Sequence, residues 1–278
     1  MQLVPVSDPS TVVNALRQAA AQTGSDFHYL LGTAMRESSL KPGAQSSTSS
    51  ATGLFQFVDQ TWLGLIKSHG AKYGLGSMAD AISVAGDGHY HAADAADRQA
   101  ILDLRKNPQI SALMAGEYSK ASAATMQAAL GRSVCGGELY AAHFLGPDAA
   151  CKLIRMNESL PGTSAASLLP NAAASNKSVF YHADGSAKTV REVYGWAMQQ
   201  PDASAPVRSA AAPESQVATA LMRATSASTA DIQDLLADVM NWQPRGGFFS
   251  PDTSSFGGEG PSSPLMLSPG LLDVLSKS

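Results

Sequence analysis

The sequence predicts an all-α fold, and three observations lead there. Phe27, Leu30, Leu31, Ala34 and Met35 recur at the i, i+3, i+4, i+7, i+8 spacing of one helix face. A longer helical stretch covers about 108–130, with Ile110, Leu113, Met114, Tyr118 and Ala121 on one side. Before residue 160 no run of alternating apolar residues demands a sheet.

Taken in order, Ser10 can cap a first helix carrying Val12, Val13, Leu16, Ala19 and Ala20 on one side. The break "TGSD" precedes the second helix, which should start at Ser25 or Asp26 and end at Pro42-Gly43. Residues 44–53 have loop composition, and "LFQFVDQTWLGLIKSHG" resumes as helix with Asp59 or Thr61 near its start. Residues 74–94 are rich in Gly, Ala and His and carry no clear period. "DRQAILDLRKNP" reads as a short helix ended by Pro108, and the long helix follows. "GGELYAAHFLGP" is a further helix stopped by Gly146-Pro147, and "DAACKLIRM" is its successor.

After residue 160 the character changes. "LPGTSAASLLPNAAASN" is linker-like. "SVFYHADGSAKTVREVYGWAMQQ" holds a turn at Asp184-Gly185 and a short helix with Val190, Val193, Tyr194 and Ala197, expected to pack back on the main body. Residues 201–278 are rich in Ala, Ser, Pro and Gly, interrupted by the amphipathic "ADIQDLLADVMNW". They bury too little apolar area to offset ordering entropy, so a largely disordered tail is expected. The implied organisation is a main helical domain at 1–160, a linker and small packed extension at 161–200, and the tail at 201–278.

Composition narrows the function. Hydrophobic residues are 44% of the 278, enough for a sizeable core, and charged residues only 15%. With a net charge of −4 and no basic face, nucleic acid is not an expected partner. No stretch reaches the length of a transmembrane helix. The start, "MQLVPVSDPS", lacks the basic and apolar regions of a secretory signal, so none is expected. Cys135 and Cys151 have no metal-ligand spacing. They read as two buried or half-buried thiols, or as a disulfide if the protein works outside the cytoplasm. The run "DGHYHAAD" at 87–94 matches no closed metal site either, so no metal or cofactor is expected.

The sharpest feature is "RESSLKPGAQSSTSSATGLFQF" at 36–57. At about 100° per residue, Ser38 falls inside the apolar stripe of the second helix, Arg36 on the solvent face, and Glu37 about 90° from the stripe centre. A carboxyl on that flank, in the last turns, is disfavoured as an anion by desolvation and by the negative end of the helix dipole. Both effects keep a proton on it nearer neutral pH, as a general acid requires. The loop that follows offers hydroxyls, the amide of Gln56 and the rings of Phe55 and Phe57, the groups a polyhydroxylated ligand needs.

This segment resembles the signature of the soluble lytic transglycosylase (SLT) family, which has a lysozyme-like, goose-type helical fold. Glu37-Ser38, Leu40, Pro42, Ala44, Ser46, Ala51, Gly53, Leu54 and Gln56 fit the pattern over about twenty residues. "LRKNPQISALMAGEYSKA" resembles the family's long helix, and "YAAHFLGPDAA" stands where the family has Ala-Ala-Tyr-Asn-Ala-Gly, so the likeness spans roughly 10–160. The "HFLG" form looks like a branch of Gram-negative bacteria and some phages. Three departures stand out: Ser50 replaces a glycine, the loop is one residue longer, and His143-Phe144 replace Tyr-Asn.

The resemblance implies a peptidoglycan lytic transglycosylase working with the single acid Glu37. Ser46 or Ser47 would orient Glu37 or hold the sugar, Gln56 would bind an acetamido or hydroxyl, and Tyr140 and His143 would line the groove. His143 could equally be a packed, hydrogen-bonded core histidine. Glu117 falls within the apolar stripe of the long helix, so it is either a site residue or a structurally paired acid. Facing Glu37 across a water, it would support a lysozyme-type hydrolase instead. The remaining alternative is a non-catalytic glycan-binding or scaffold module, against which the intact Glu37-Ser38 pair argues. The implied partner is the peptidoglycan glycan strand and the location the periplasm or cell envelope, by an export route the sequence does not reveal. The tail is the part suited to docking on secretion, flagellar or cell-envelope machinery.

Overall fold

The computed structural model describes residues 9–199. Its first helix, α1 (Pro9–Thr23), buries Val12, Val13, Leu16, Ala19 and Ala20, the stripe its spacing predicts. It packs on α6 (Pro108–Leu130), the long helix. Asn107 caps α6 by accepting from Gln109 and Ile110 N–H (3.0 and 3.1 Å), and Pro108 occupies the first turn, where no N–H is needed. The end of α1 comes so near α6 that a Cβ on Gly116 would lie 2.4 Å from Thr23 Oγ1. Only glycine permits this approach.

The second helix, α2 (Phe27–Ser38), starts at Asp26, whose carboxylate accepts from Tyr29 N–H at 2.9 Å. It ends before Pro42, at two residues in the left-handed region, Ser39 (φ 52°) and Leu40 (φ 58°). Their N–H groups turn back to the carbonyls of Met35 and Ala34. Ending the helix here leaves Glu37 and Ser38 in its last turn. Next comes α3 (Asp59–His69), anchored by Trp62, whose Nε1–H donates to the Ile101 carbonyl at 2.7 Å.

Residues 76–92 hold a short helix, α4 (Gly76–Asp80), and an antiparallel hairpin of β1 (Ile82–Val84) and β2 (Tyr90–Ala92), with Ser83 opposite His91. The fold is mostly helical, as expected, and the hairpin falls in the stretch 74–94, where the sequence carries no clear period. Three-residue strands are too short for an alternation to register in sequence. Asp87 lies in the hairpin turn and accepts from His89 N–H at 3.0 Å. The next helix, α5 (Ala95–Asp103), runs into a 3-10 turn at Leu104–Lys106.

Helices α7 (Gly136–Leu145) and α8 (Pro147–Ser159) pack together and meet at Gly146. Near the start of α7 lies a buried acid, Glu138. Its oxygens accept from both terminal nitrogens of Arg132 (2.9 and 2.7 Å), from Cys135 N–H (3.1 Å) and from Tyr194 Oη (3.2 Å). Burial pushes this carboxyl up, but Arg132 and the other donors outweigh it and hold it below the ordinary range. Cys135 and Cys151 are both free thiols.

Part of the segment expected to be a linker is folded. It forms α9 (Ala165–Leu168), α10 (Pro170–Ser175) and α11 (Lys177–Phe180), followed by α12 (Val190–Ala197). Ala165, Leu169, Ala173, Phe180, Val190 and Val193 build a second small core with Phe144, Leu145 and Leu153. Each of the first three helices is too short to show a period, which is why the stretch reads as linker. A reciprocal Thr189–Glu192 capping box starts α12, which packs on α7 and α8. The tail and its amphipathic island lie outside the described residues.

Candidate active site

Glu37, in the last turn of α2, meets Tyr140 from the middle of α7, while its neighbours Arg36 and Ser38 tie that turn to the end of α12 and to the loop 44–57. Glu37 is half-buried, as its flank position implies. Its Oε1 accepts a hydrogen bond from Tyr140 Oη at 2.7 Å. Burial pushes the carboxyl up to about 7, against the opposing pull of the Tyr140 hydrogen bond and the Arg36 cation. At neutral pH it is therefore poised to hold or release a proton. Ser38 is buried beside it, and its hydroxyl lies 2.9 Å from the carbonyls of both Ala34 and Leu54, tying the helix end to the loop.

The loop is rigid for identifiable reasons. Gly53 N–H donates to Ala44 O (2.8 Å), Ser46 N–H to Ala51 O (3.0 Å) and Thr52 N–H to Phe57 O (3.2 Å). The buried guanidinium of Arg105 donates to Ser50 O (2.7 Å) and Phe57 O (2.9 Å) and pairs with Asp59 (2.9 Å). Arg105 carries no signal in sequence, because its partners lie about fifty positions away along the chain and are mostly backbone.

The residues picked out in sequence divide into three groups. Tyr140 is brought to Glu37. His143 stacks on Tyr140, with ring centroids 6.0 Å apart, and is enclosed by Phe57 and Tyr118. Burial lowers it to about 4, so it is a neutral, packed histidine at working pH, bonded to the Phe55 backbone.

The loop residues occupy other places. Phe55 is 1% exposed and packs beside Phe57 in the core, so no aromatic platform for a sugar is offered there. Gln56, at φ 49°, turns its amide nitrogen to Gly53 O (2.9 Å) and Ala44 O (3.3 Å) and braces the loop from within. Ser46 shares its hydroxyl with Thr48, and Ser47 is exposed. The hydrogen bond on Glu37 thus comes from Tyr140 rather than from either serine.

Glu117 stands apart. Its carboxylate accepts from Lys72 Nζ at 2.5 Å and from Tyr73 Oη, both in the 3-10 turn Gly70–Tyr73. Burial raises this acid, but those two donors outweigh it and hold it below the ordinary range. Among the described residues, no carboxylate shifts Glu37, whereas Glu117 responds to Lys72, Tyr73 and His69.

Arg36, expected to face solvent, is half-buried. Its guanidinium lies 3.9 Å from the Tyr140 ring centroid and 4.4 Å from that of Trp196. The helical wheel could not anticipate this, because the cover comes from α12, some 160 residues downstream. Among the described residues no helix is long and apolar enough to cross a membrane. Residues 14–81, which include Glu37 and the whole loop, match the family described as Transglycosylase SLT domain. The chain therefore carries an SLT transglycosylase domain over this segment, a domain type that implies peptidoglycan as its substrate class.

Proposed function

We propose that the protein is a peptidoglycan lytic transglycosylase that cleaves the β-1,4 bond between N-acetylmuramic acid and N-acetylglucosamine, with Glu37 as its only catalytic acid. The observation that carries this reading is the half-buried Glu37 carboxyl, held by Tyr140 Oη at 2.7 Å and raised to about 7, within the matched segment. Protonated Glu37 gives its proton to the bridging oxygen, and the C1–O4 bond breaks. The substrate's acetamido group stabilises the cation developing at C1. The Glu37 carboxylate then takes the proton of the muramoyl C6 hydroxyl, whose oxygen closes on C1. The product carries a 1,6-anhydro end, Glu37 is protonated again, and no water is consumed.

A hydrolase of inverting type needs a second carboxylate placed across a water. The candidate for that role, Glu117, is committed to Lys72 and Tyr73. We assign the catalytic body to about residue 160, the packed extension to 161–199, and the place of action to the cell envelope.

The reading is tested by release of soluble fragments from purified sacculi, with release expected from the wild type and none from Glu37→Gln. Tyr140→Phe adds a graded test. It removes a donor to the carboxylate, so Glu37 keeps its proton to higher pH and the basic limb of the rate profile moves up. The rate should fall roughly ten- to a hundredfold, the worth of a hydrogen bond to a charged group. An unchanged limb would remove Tyr140 from the acid's environment.

A further inference from the structure

Residues 190–199 lie well beyond the matched segment, yet they close on α2 at the residue next to Glu37. Arg36 is held on two sides. Its guanidinium packs against both the Tyr140 and the Trp196 ring, in the corner that the two rings form. Its terminal nitrogens donate to carbonyls in the last turn of α12, Nη2 to Trp196 O at 3.0 Å and Nη1 to Ala197 O at 3.3 Å. The C-terminal end of a helix favours a cation. Trp196 also touches Tyr140 (ring centroids 5.6 Å apart) and Phe144 (4.7 Å).

The helix α12 is fixed without help from Arg36. Val190, Val193 and Ala197 are buried, and Tyr194 Oη donates to the buried Glu138. A firmly placed element therefore grips Arg36, Arg36 covers the Tyr140 ring, and the Tyr140 hydroxyl reaches Glu37.

We infer that Trp196 and the carbonyl end of α12 are a positioning device of the active site: they clamp Arg36 over Tyr140 and so hold the Tyr140 hydroxyl on Glu37. Residues 190–199 thereby complete a site whose motif lies more than a hundred residues earlier in the chain. The inference rests on the catalytic role given to Glu37 above. The charged and titratable groups around that carboxyl are Arg36 and Tyr29 on α2 and Tyr140 on α7, with His143 behind Tyr140. The titratable side chain of α12 nearest the clamp, Tyr194, is engaged with Glu138 instead.

Two measurements on the full chain test it. The first is a double-variant cycle on sacculi with Trp196→Leu and Tyr140→Phe. Trp196→Leu should lower kcat roughly tenfold with little change in KM, since a loosened catalytic group costs rate rather than binding. If Trp196 acts through Tyr140, the double variant should be no slower than the slower single one. Strictly additive losses, or full kcat in Trp196→Leu, would overturn the clamp. Trp196→Phe keeps an aromatic face on Arg36 and should retain most of the rate; if Trp196→Leu does not fold, the comparison passes to Trp196→Phe and Arg36→Met.

The second measurement needs no turnover. The Glu37 carboxyl is titrated by NMR in protein labelled with 13C-glutamate. Trp196→Leu opens the clamp and frees Tyr140 while keeping the Arg36 cation, so the Glu37 midpoint should move up, whereas Trp196→Phe should leave it near the wild-type value. An unmoved midpoint in Trp196→Leu overturns the clamp. A wild type that releases nothing from sacculi would defeat the proposed function instead, while this titration still judges the clamp.

Discussion

Glu37→Gln is expected to abolish turnover on sacculi and, at the same time, to stabilise the folded protein at pH 8. The loss of rate follows because glutamine can neither give the proton that releases the leaving oxygen nor take one from the C6 hydroxyl. General acid–base catalysis alone contributes about a hundred- to ten-thousandfold, and one residue serves both steps here, so a loss of at least about a thousandfold is anticipated. The gain in stability follows from the direction in which the carboxyl is shifted. Its native value, about 7, lies above the ordinary 4.5. Between those values the native state binds more protons than the unfolded state, so stability falls as pH rises and the loss is complete above pH 7. Glutamine carries no such charge. The gain at pH 8 should be on the order of 3 kcal/mol, from the size of the shift, and should vanish below pH 4.5. Melting temperatures of the two proteins at pH 4 and pH 8 check this. An equal difference at both pH values would contradict burial as the cause of the shift.

Gly53→Ala should be the most damaging single change in the loop. Gly53 sits at φ 87°, a conformation that an L side chain rarely adopts. A Cβ there would lie 2.1 Å from the Arg105 carbonyl oxygen, which is backbone and cannot swing aside. The same residue carries three loop contacts, its carbonyl accepting from Gln56 Nε2 and Gln56 N–H and its own N–H donating to Ala44 O. Strain and displacement together should cost about 2–4 kcal/mol, or roughly 5–15 °C in Tm for a domain of this size. The damage should also reach the site, because Leu54 O, the next carbonyl, is within hydrogen-bond reach of Ser38 beside Glu37. Thermal melting and sacculus turnover of the surviving folded fraction measure the two effects separately. A melting point within a degree or two of wild type would show that the loop has slack the structure does not suggest.

The parts of the fold that could be read in sequence are those whose burial repeats. The stripes of α1 and α2 are clear because each helix runs three turns or more against one core, and α6 to α8 are bounded by Asn107-Pro108, Gly131 and Gly146-Pro147. What escaped was short or distant. The hairpin has three residues per strand, and the helices between residues 165 and 180 have four to six residues each. The site divides along the same line. Glu37 and Ser38 are placed by their own helix, so a wheel finds them. Arg36, Arg105 and Glu138 take their environment from partners on other elements, and a helix wheel sees only its own helix. Phe55 shows the converse error: an aromatic beside a hydroxyl-rich loop suggests a sugar platform, but apolar burial claimed it for the core.

The central claim is that one carboxyl, without a second acid or a water, breaks the glycan strand by internal attack. Digestion of purified sacculi by the 278-residue chain in 18O-labelled water, with mass spectrometry of the released fragments, tests it most directly. The account predicts 1,6-anhydromuramoyl ends carrying no 18O. Reducing muramoyl ends labelled with 18O would contradict it, and would require a second catalytic group to activate water.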